Sequence, residues 1–340
     1  MQSIVEPLLS WYAANARQLP WRRDKEPYHV WLSEIMLQQT RVEAARGYYL
    51  RFVEELPDIA SLAACEDARL MKLWEGLGYY RRASNLKAAA LQIVEKHSGL
   101  FPQDYDSIRA LPGIGAYTAG AIASICFEQP RPAVDGNVLR IMSRLLNSRE
   151  AVDENRCVKR YTEALAAIYP RGRCGDFSQA LMELGACVCV PAQPRCVLCP
   201  IYAHCEAYKA GTQAALPVRA PKRARKKEER TAFLLLADGR IAIQKRPEGG
   251  LLGGLWELPA VQGALNENAA LEQARAWGLD PVYLEKVLFH THIFTHIEWH
   301  MRCCLLHCRN TGGGFTWATR EELARDYALP SAFRPFVEQV

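Results

Sequence analysis

Leu111-Pro112-Gly113-Ile114-Gly115, followed by the small-residue run from Ala116 through Ser124, decides how the first two-thirds of this 340-residue chain folds. Pro112 stops one helix, and Gly113 and Gly115 permit a tight turn and the close approach of another backbone. Alanine-rich sequence then starts a second helix, so residues from about 107 to 124 are expected to form a helical hairpin. The free amides opening that second helix face whatever lies beside the turn, and a helix N-terminus behind glycines accepts a phosphate. A plain helix–helix turn accounts for the same residues equally well.

Working outward, Asp135-Gly136 is followed by apolar residues at Val138, Ile141, Met142, Leu145 and Leu146, the pattern of a one-faced helix. Asp135 then stands where an N-cap stands, and the helix dipole with the first amides should keep its carboxylate ionised. An anion held beside a substrate can stabilise a developing cation, although most aspartates at such positions are caps and nothing more. Upstream, Glu34 lies within Trp31-Leu32-Ser33-Glu34-Ile35-Met36-Leu37-Gln38-Gln39-Thr40, with apolar neighbours on most sides of the expected helix. Burial there should raise its pKa and let it hold a proton near neutrality, as a general acid must. A buried glutamate paired with an arginine is the plainer account.

Downstream, Cys189, Cys196, Cys199 and Cys205 follow the spacing C-x6-C-x2-C-x5-C. Four thiolates so close in sequence can converge on one metal centre, and soft sulfur selects zinc or iron–sulfur clusters. Structural zinc usually uses two C-x2-C pairs and only one is present, so the spacing favours a [4Fe-4S] cluster. The other eight cysteines are scattered, several within apolar runs, which suits buried free thiols better than a secretory disulfide framework. The opening residues lack the plan of a secretory signal, and no uncharged apolar stretch is long enough to span a bilayer. A soluble intracellular protein is expected.

Residues 217–230 contain seven Lys or Arg against two Asp or Glu, with two prolines, and account for the whole formal net charge of +5. Such composition marks an exposed connector, one that would hold phosphate backbones through a salt-dependent attraction or be merely solvated. It divides residues 1–216, read as helical, from residues 231–340, where the periodicity changes. Phe233 to Ala237, then Asp238-Gly239, then Arg240 to Gln244 is a hairpin signal. Ile297, Trp299, Met301, Cys303 and Leu305 alternate with Glu298, His300 and Arg302 as in a half-buried strand, and Thr319 with Glu322 forms a capping box. The second part is mixed α+β.

Taken together, the run from Leu111 to Ile122, Val134-Asp135-Gly136-Asn137-Val138, Ser33 to Thr40 and the four-cysteine loop resemble the MutY family, the adenine DNA glycosylases of the helix-hairpin-helix superfamily, over nearly the whole chain. The resemblance implies a multidomain protein: an all-α helix-hairpin-helix glycosylase domain with an iron–sulfur cluster loop at 189–205, then an α+β MutT/Nudix-like domain. It implies removal of adenine mispaired with 8-oxoguanine, or with guanine, from double-stranded DNA after the base is flipped out. Glu34 would protonate adenine N7 and then serve the incoming water. Asp135 would stabilise the oxocarbenium-like sugar or trap it, as the paired carboxylates of glycoside hydrolysis do. Tyr117 and Asn137 match supporting positions, Gly113 and Gly115 the phosphate-holding hairpin, Gln39 a polar contact to the lesion pair, and Tyr79 the wedge entering the base stack. In the second domain Phe294, Thr295 and His296 match the loop that reads 8-oxoguanine, with threonine where relatives often have serine. A cytoplasmic, nucleoid-acting monomer is expected.

Two other chemistries would need residues that this sequence lacks. Lyase-competent relatives place a lysine where Tyr117 stands, and none is present, so strong lyase activity is not expected. Nudix hydrolysis needs clustered glutamates holding magnesium, which Ala270-Leu271-Glu272-Gln273-Ala274-Arg275-Ala276 does not supply. A lesion-binding protein without chemistry would require Glu34 and Asp135 to be structural.

Overall fold

A computed structural model describes residues 1–221 and 224–340; Lys222 and Arg223, both in the expected connector, lie outside the described residues. The chain falls into two compact units, Met1–Cys65 with Ser84–Pro221, and Glu66–Ala83 with the chain beyond Pro221.

The first unit is helical. The hairpin is formed by the helices Tyr105–Arg109 and Ala116–Phe127. Gly113 turns between them at φ 76°, and a Cβ there would lie 2.6 Å from that of Asn85, so both its handedness and its lack of a side chain are used. Ala116–Phe127 is buried on nearly every side, which its small residues permit. A Cβ on Gly120 would sit 2.4 Å from the Pro132 carbonyl oxygen, so the chain leading to Asp135 runs directly against this helix. The helix Gly136–Leu145 buries Val138, Ile141, Met142 and Leu145 as the periodicity requires. Leu146 departs from that expectation: it is the C-cap and is 40 % exposed, because the helical turn that would bury it has ended. Cys174–Cys187 packs on this helix, and Phe177, Leu181 and Leu184 join Ile141, Met142 and Leu145 in one core with Leu8, Leu9 and Tyr161.

The second unit is built on a mixed sheet of strands β1 (Lys226–Ala237), β2 (Arg240–Lys245), β3 (Trp256–Glu257), β4 (Ala260–Gln262), β5 (Pro281–Ile293), β6 (Ile297–Cys308) and β7 (Thr316–Ala318). The order is β3-β2-β1-β6-β5, with β4 also on β1 and β7 also on β2. Strands β1 and β2 form the expected hairpin, with Asp238 and Gly239 both at positive φ. β1 runs parallel to β6 from Lys226 opposite Ile297 to Leu236 opposite His307. Its first five residues therefore belong to the sheet rather than to an exposed connector. Two of their charges have fixed partners on β6: the Arg230 guanidinium lies 4.0 Å over the Trp299 ring, and Glu228 accepts the Trp299 indole N–H at 3.1 Å.

β6 alternates as expected only over its first half. Toward its end Cys303, Cys304, Leu305 and Leu306 are all buried, because the helix Glu267–Ala276 covers one face and the C-terminal Phe333 and Phe336 fill the other. The capping box of Thr319 and Glu322 is present at the start of the helix Arg320–Asp326. No described helix is long and apolar enough to cross a membrane.

Candidate active site

In the first unit a cavity of about 620 Å³ opens among Arg22, Glu34, Gln39, Tyr117, Asp135 and Asn137. The sequence between these residues is long, but three helices bring them together. Pro27 starts the helix Pro27–Leu37, which carries Glu34 in a nearly all-buried turn. Ala116–Phe127 presents Tyr117 from its first turn, and Asp135 caps Gly136–Leu145.

Glu34 is 7 % exposed and accepts the Tyr117 hydroxyl at 2.5 Å. Burial lifts its carboxyl to about 7, with the Tyr117 bond opposing, the Asp135 charge adding and Arg22 opposing again. The Tyr117 phenol is raised well above its ordinary value by burial and by these two carboxylates, so it stays protonated and keeps donating. Its hydroxyl also lies 3.3 Å from the Met182 sulfur. Tyr117 is thus bound to a carboxylate in the cavity rather than simply packed on the hairpin.

Asp135 is the N-cap that the sequence indicates: one carboxylate oxygen accepts the Val138 amide at 2.8 Å, and the other the Asn137 side-chain amide at 2.8 Å. Its pKa nevertheless lies above the ordinary aspartate value, not below. Burial dominates, and the Val138 and Asn137 bonds offset only part of it. The expectation that capping alone would favour the anion is corrected here, since most of the site is closed to water.

Two arginines missed in the sequence fix this arrangement. Arg140 donates to the Asn137 side-chain oxygen at 2.9 Å, to the Gly185 carbonyl at 2.8 Å and to the Cys189 carbonyl at 2.7 Å. One turn on, Arg144 donates to the carbonyls of Val190 and Pro191 at 2.8 and 2.7 Å, and its Nη1 stands 3.2 Å from the Cys189 sulfur. Both are almost wholly buried. Their only local signal is that they follow Asn137 at helical spacing, which ordinarily describes a solvated face.

Glu183 was missed as well. It is 1 % exposed and accepts the Arg17 amide, the Arg17 guanidinium twice and Arg22 at 2.9 Å. Burial would raise this carboxyl, but the Arg17 and Arg22 bonds outweigh it and bring it to about 2. Glu183 so pins the wall of the cavity on which Arg17 and Arg22 lie.

Gln39 lines the cavity from a left-handed backbone at φ 59°. Gly113 and Gly115 do not line it; Gly115 caps Ala116–Phe127 with no side chain, and its Cβ position is open space. Cys189, Cys196, Cys199 and Cys205 line one small separate space of about 30 Å³ with Arg144. Among the described residues no three His, Cys, Asp or Glu side chains converge as the ligands of a single metal ion would. The four sulfurs nevertheless border one common space, a soft donor set of the kind that zinc or an iron–sulfur cluster takes.

The remaining expected residues belong to the second unit. Phe294-Thr295-His296 is the turn between β5 and β6, closed by the Phe294 amide on the Ile297 carbonyl at 2.8 Å. The Phe294 ring meets Trp299 edge-on, with centroids 4.8 Å apart. The Tyr79 hydroxyl lies 3.0 Å from that of Thr295. Tyr79 is 47 % exposed while Tyr80 is 8 % exposed, which separates the available tyrosine from its neighbour in the core.

Comparison with known proteins gives two family matches: HhH-GPD superfamily base excision DNA repair protein over residues 32–166, and NUDIX domain over residues 231–339. The chain is 35 % identical to the adenine DNA glycosylase of Arabidopsis thaliana over 92 % of its own length, spanning 58 % of that protein. It is 34 % identical to that of Rattus norvegicus, covering 97 % of this chain and 77 % of the relative. With that of Buchnera aphidicola from Schizaphis graminum the identity is 32 %, covering 86 % and 84 %. Among solved structures, a thermostable thymine-DNA glycosylase is similar over 62 % of this chain and 96 % of its own, with 26 % identity and a TM-score of 0.57. Endonuclease III in a trapped DNA intermediate shares the fold, at 23 % identity, 62 % and 97 % coverage and a TM-score of 0.53.

Proposed function

The chain belongs to the adenine DNA glycosylases, a family of base excision DNA repair enzymes, and from this we propose that it hydrolyses adenine from 8-oxoguanine·A and G·A mispairs in duplex DNA, leaving an abasic site. The observation that carries the reading is the pair of carboxylates in one cavity, Glu34 poised at about 7 and Asp135 held by two amides.

A flipped adenine leaves poorly as an anion. Glu34, partly protonated at neutral pH, gives its proton to adenine N7 as the bond from C1′ to N9 breaks and the bonding electrons pass to the base. Positive charge then develops on the sugar. The Asp135 carboxylate, desolvated and aimed by Val138 and Asn137, stabilises that charge more strongly than it could in water. Glu34, now an anion, accepts a proton from the water that adds to C1′. Tyr117 keeps the Glu34 carboxylate oriented in both states, and Asn137 does the same for Asp135. Because no lysine faces the sugar from the position of Tyr117, the reaction stops at the abasic site.

Residues 1–216 supply this chemistry and residues 231–340 the lesion reading in this scheme. Tyr79 would enter the stack, an unstacking that costs a few kcal/mol. Gln39, Phe294, Thr295 and His296 would recognise the lesion pair, and the Gly113 to Gly115 turn would hold a phosphate. Cys189, Cys196, Cys199 and Cys205 would hold a [4Fe-4S] cluster, which when bound supplies a fixed crosslink for the loop from 189 to 205.

Single-turnover excision on end-labelled duplexes carrying 8-oxoguanine·A, G·A or 8-oxoguanine·C, each with and without alkali, tests the proposal. Alkali-dependent cleavage at the adenine opposite 8-oxoguanine is expected. Efficient cleavage without alkali would replace it with a lyase-competent enzyme, and tight binding without cleavage would leave a lesion-binding protein.

A further inference from the structure

Within the second unit, the helix Asp67–Leu73 leads into Trp74-Glu75-Gly76-Leu77-Gly78-Tyr79. Gly76 and Gly78 have φ of 99° and 70°, and Tyr79 itself adopts 48°. A tyrosine holds left-handed backbone only where its surroundings over-determine it. Part of the cause is local: the Trp74 indole donates to the Gly78 carbonyl at 3.1 Å, and the Arg82 guanidinium donates to the Leu77 and Gly78 carbonyls beneath the Tyr79 ring.

The rest comes from far along the chain. Lys72 donates to the carbonyls of Leu323 and Tyr327, at 3.1 and 3.0 Å, in and just beyond the last turn of the helix Arg320–Asp326, and pairs with Glu75 at 2.7 Å. A cation is favourable at that helix end. The other Glu75 oxygen accepts the Leu329 amide at 2.9 Å. Neither side chain is more than 17 % exposed, so both spend their polar groups inside the protein. The turn is thus held at its root by residues 323–329 and at its tip by the bond of Tyr79 to Thr295.

We infer that Lys72 and Glu75 are positioning residues for lesion discrimination: they register the Tyr79 turn on the second unit so that Tyr79 and Thr295 meet DNA as one preformed reader. This rests on the proposed function for its substrate. It does not rest on it for the geometry. Preorganising the two groups removes the ordering cost that a loose wedge would meet on binding.

The test uses the full-length protein with Lys72→Met, which keeps the stem, Lys72→Arg, which keeps the donors, and Glu75→Gln, which removes the ion pair. Each is confirmed folded by its thermal midpoint. Lys72→Met should lower the ratio of 8-oxoguanine·A to G·A excision by about tenfold while G·A excision changes by less than about twofold. Lys72→Arg should restore most of the ratio, and Glu75→Gln should give the same pattern more weakly. In parallel, amide hydrogen exchange without DNA should show residues 75–82 losing protection in Lys72→Met and regaining it in Lys72→Arg. Equal loss on both substrates, or unchanged exchange across 75–82, overturns the inference. A wild-type protein that shows no preference for 8-oxoguanine·A would instead sink the functional reading, and the exchange result would still decide whether Lys72 fixes the turn.

Discussion

The Glu34 cavity and the Phe294 to His296 turn differ in how they use water. Around the cavity, Glu34, Asp135, Asn137 and Glu183 all have partners inside the protein; burial lifts Glu34 to about 7, while the Arg17 and Arg22 bonds outweigh burial at Glu183 and hold it at about 2. At the turn, Thr295 and Tyr79 are exposed, and their fixed contact is with each other. Proton transfer needs a group whose charge state has been shifted, and only burial with chosen partners does that. Reading a base edge needs accessible groups at set positions, which calls for a rigid support beneath an open surface.

The sharpest way to break this contrast is at the carboxylates. Glu34→Gln and Asp135→Asn should each reduce single-turnover excision by about a thousandfold or more while leaving duplex binding intact; unchanged excision by either variant would remove that residue from the chemistry. Next comes the wall. Glu183→Gln leaves Arg17 and Arg22 without their buried anion and should cost about 3 kcal/mol, measured as a shift of the urea midpoint. At the turn, Thr295→Ala should lower 8-oxoguanine·A excision by about tenfold, the worth of one hydrogen bond, with G·A excision unaffected. A fall on both substrates would mean that the turn does more than read the lesion.

The smallest effect is in pH. Excision should decline by about fivefold from pH 7 to 8 as Glu34 loses its proton, and a flat profile would argue against it as the acid. Stability should respond oppositely at the two glutamates. Between the ordinary glutamate value of 4.5 and about 7 the folded chain holds the Glu34 proton that the unfolded chain has released, so its contribution weakens as pH rises. Glu183 contributes fully above 4.5 and loses its contribution as pH falls toward 2. Urea midpoints measured for wild type and Glu183→Gln should therefore converge in acid.

What the sequence made legible was local. The Gly113 turn, the Asp135 cap, the Asp238-Gly239 hairpin and the Thr319 capping box each depend on residues within a few positions, and each formed where expected. Glu34 was legible because apolar neighbours on most sides of one helix already imply burial. Arg140, Arg144 and Glu183 were not, since all their close partners but Asn137 lie 45 residues or more away, and a charged residue in a helix reads as solvated until its partner is known. The Asp135 pKa was misjudged for a related reason: the capping amides are local, while the burial that outweighs them comes from the whole unit. The grouping of residues 66–83 with the second unit has no local mark either, because Lys72 and Glu75 look like an ordinary surface pair three residues apart.

The helix Gly136–Leu145 is ten residues long, yet Asp135 sits at one end and the carbonyls of the cysteine loop are gripped by Arg140 and Arg144 along its length. With a rise of about 1.5 Å per residue, so short a rod has no slack in which to absorb a displacement. A displacement of the cysteine loop would be felt at the Asp135 carboxylate as a change of aim. The enzyme would fall silent while most of its core was still folded.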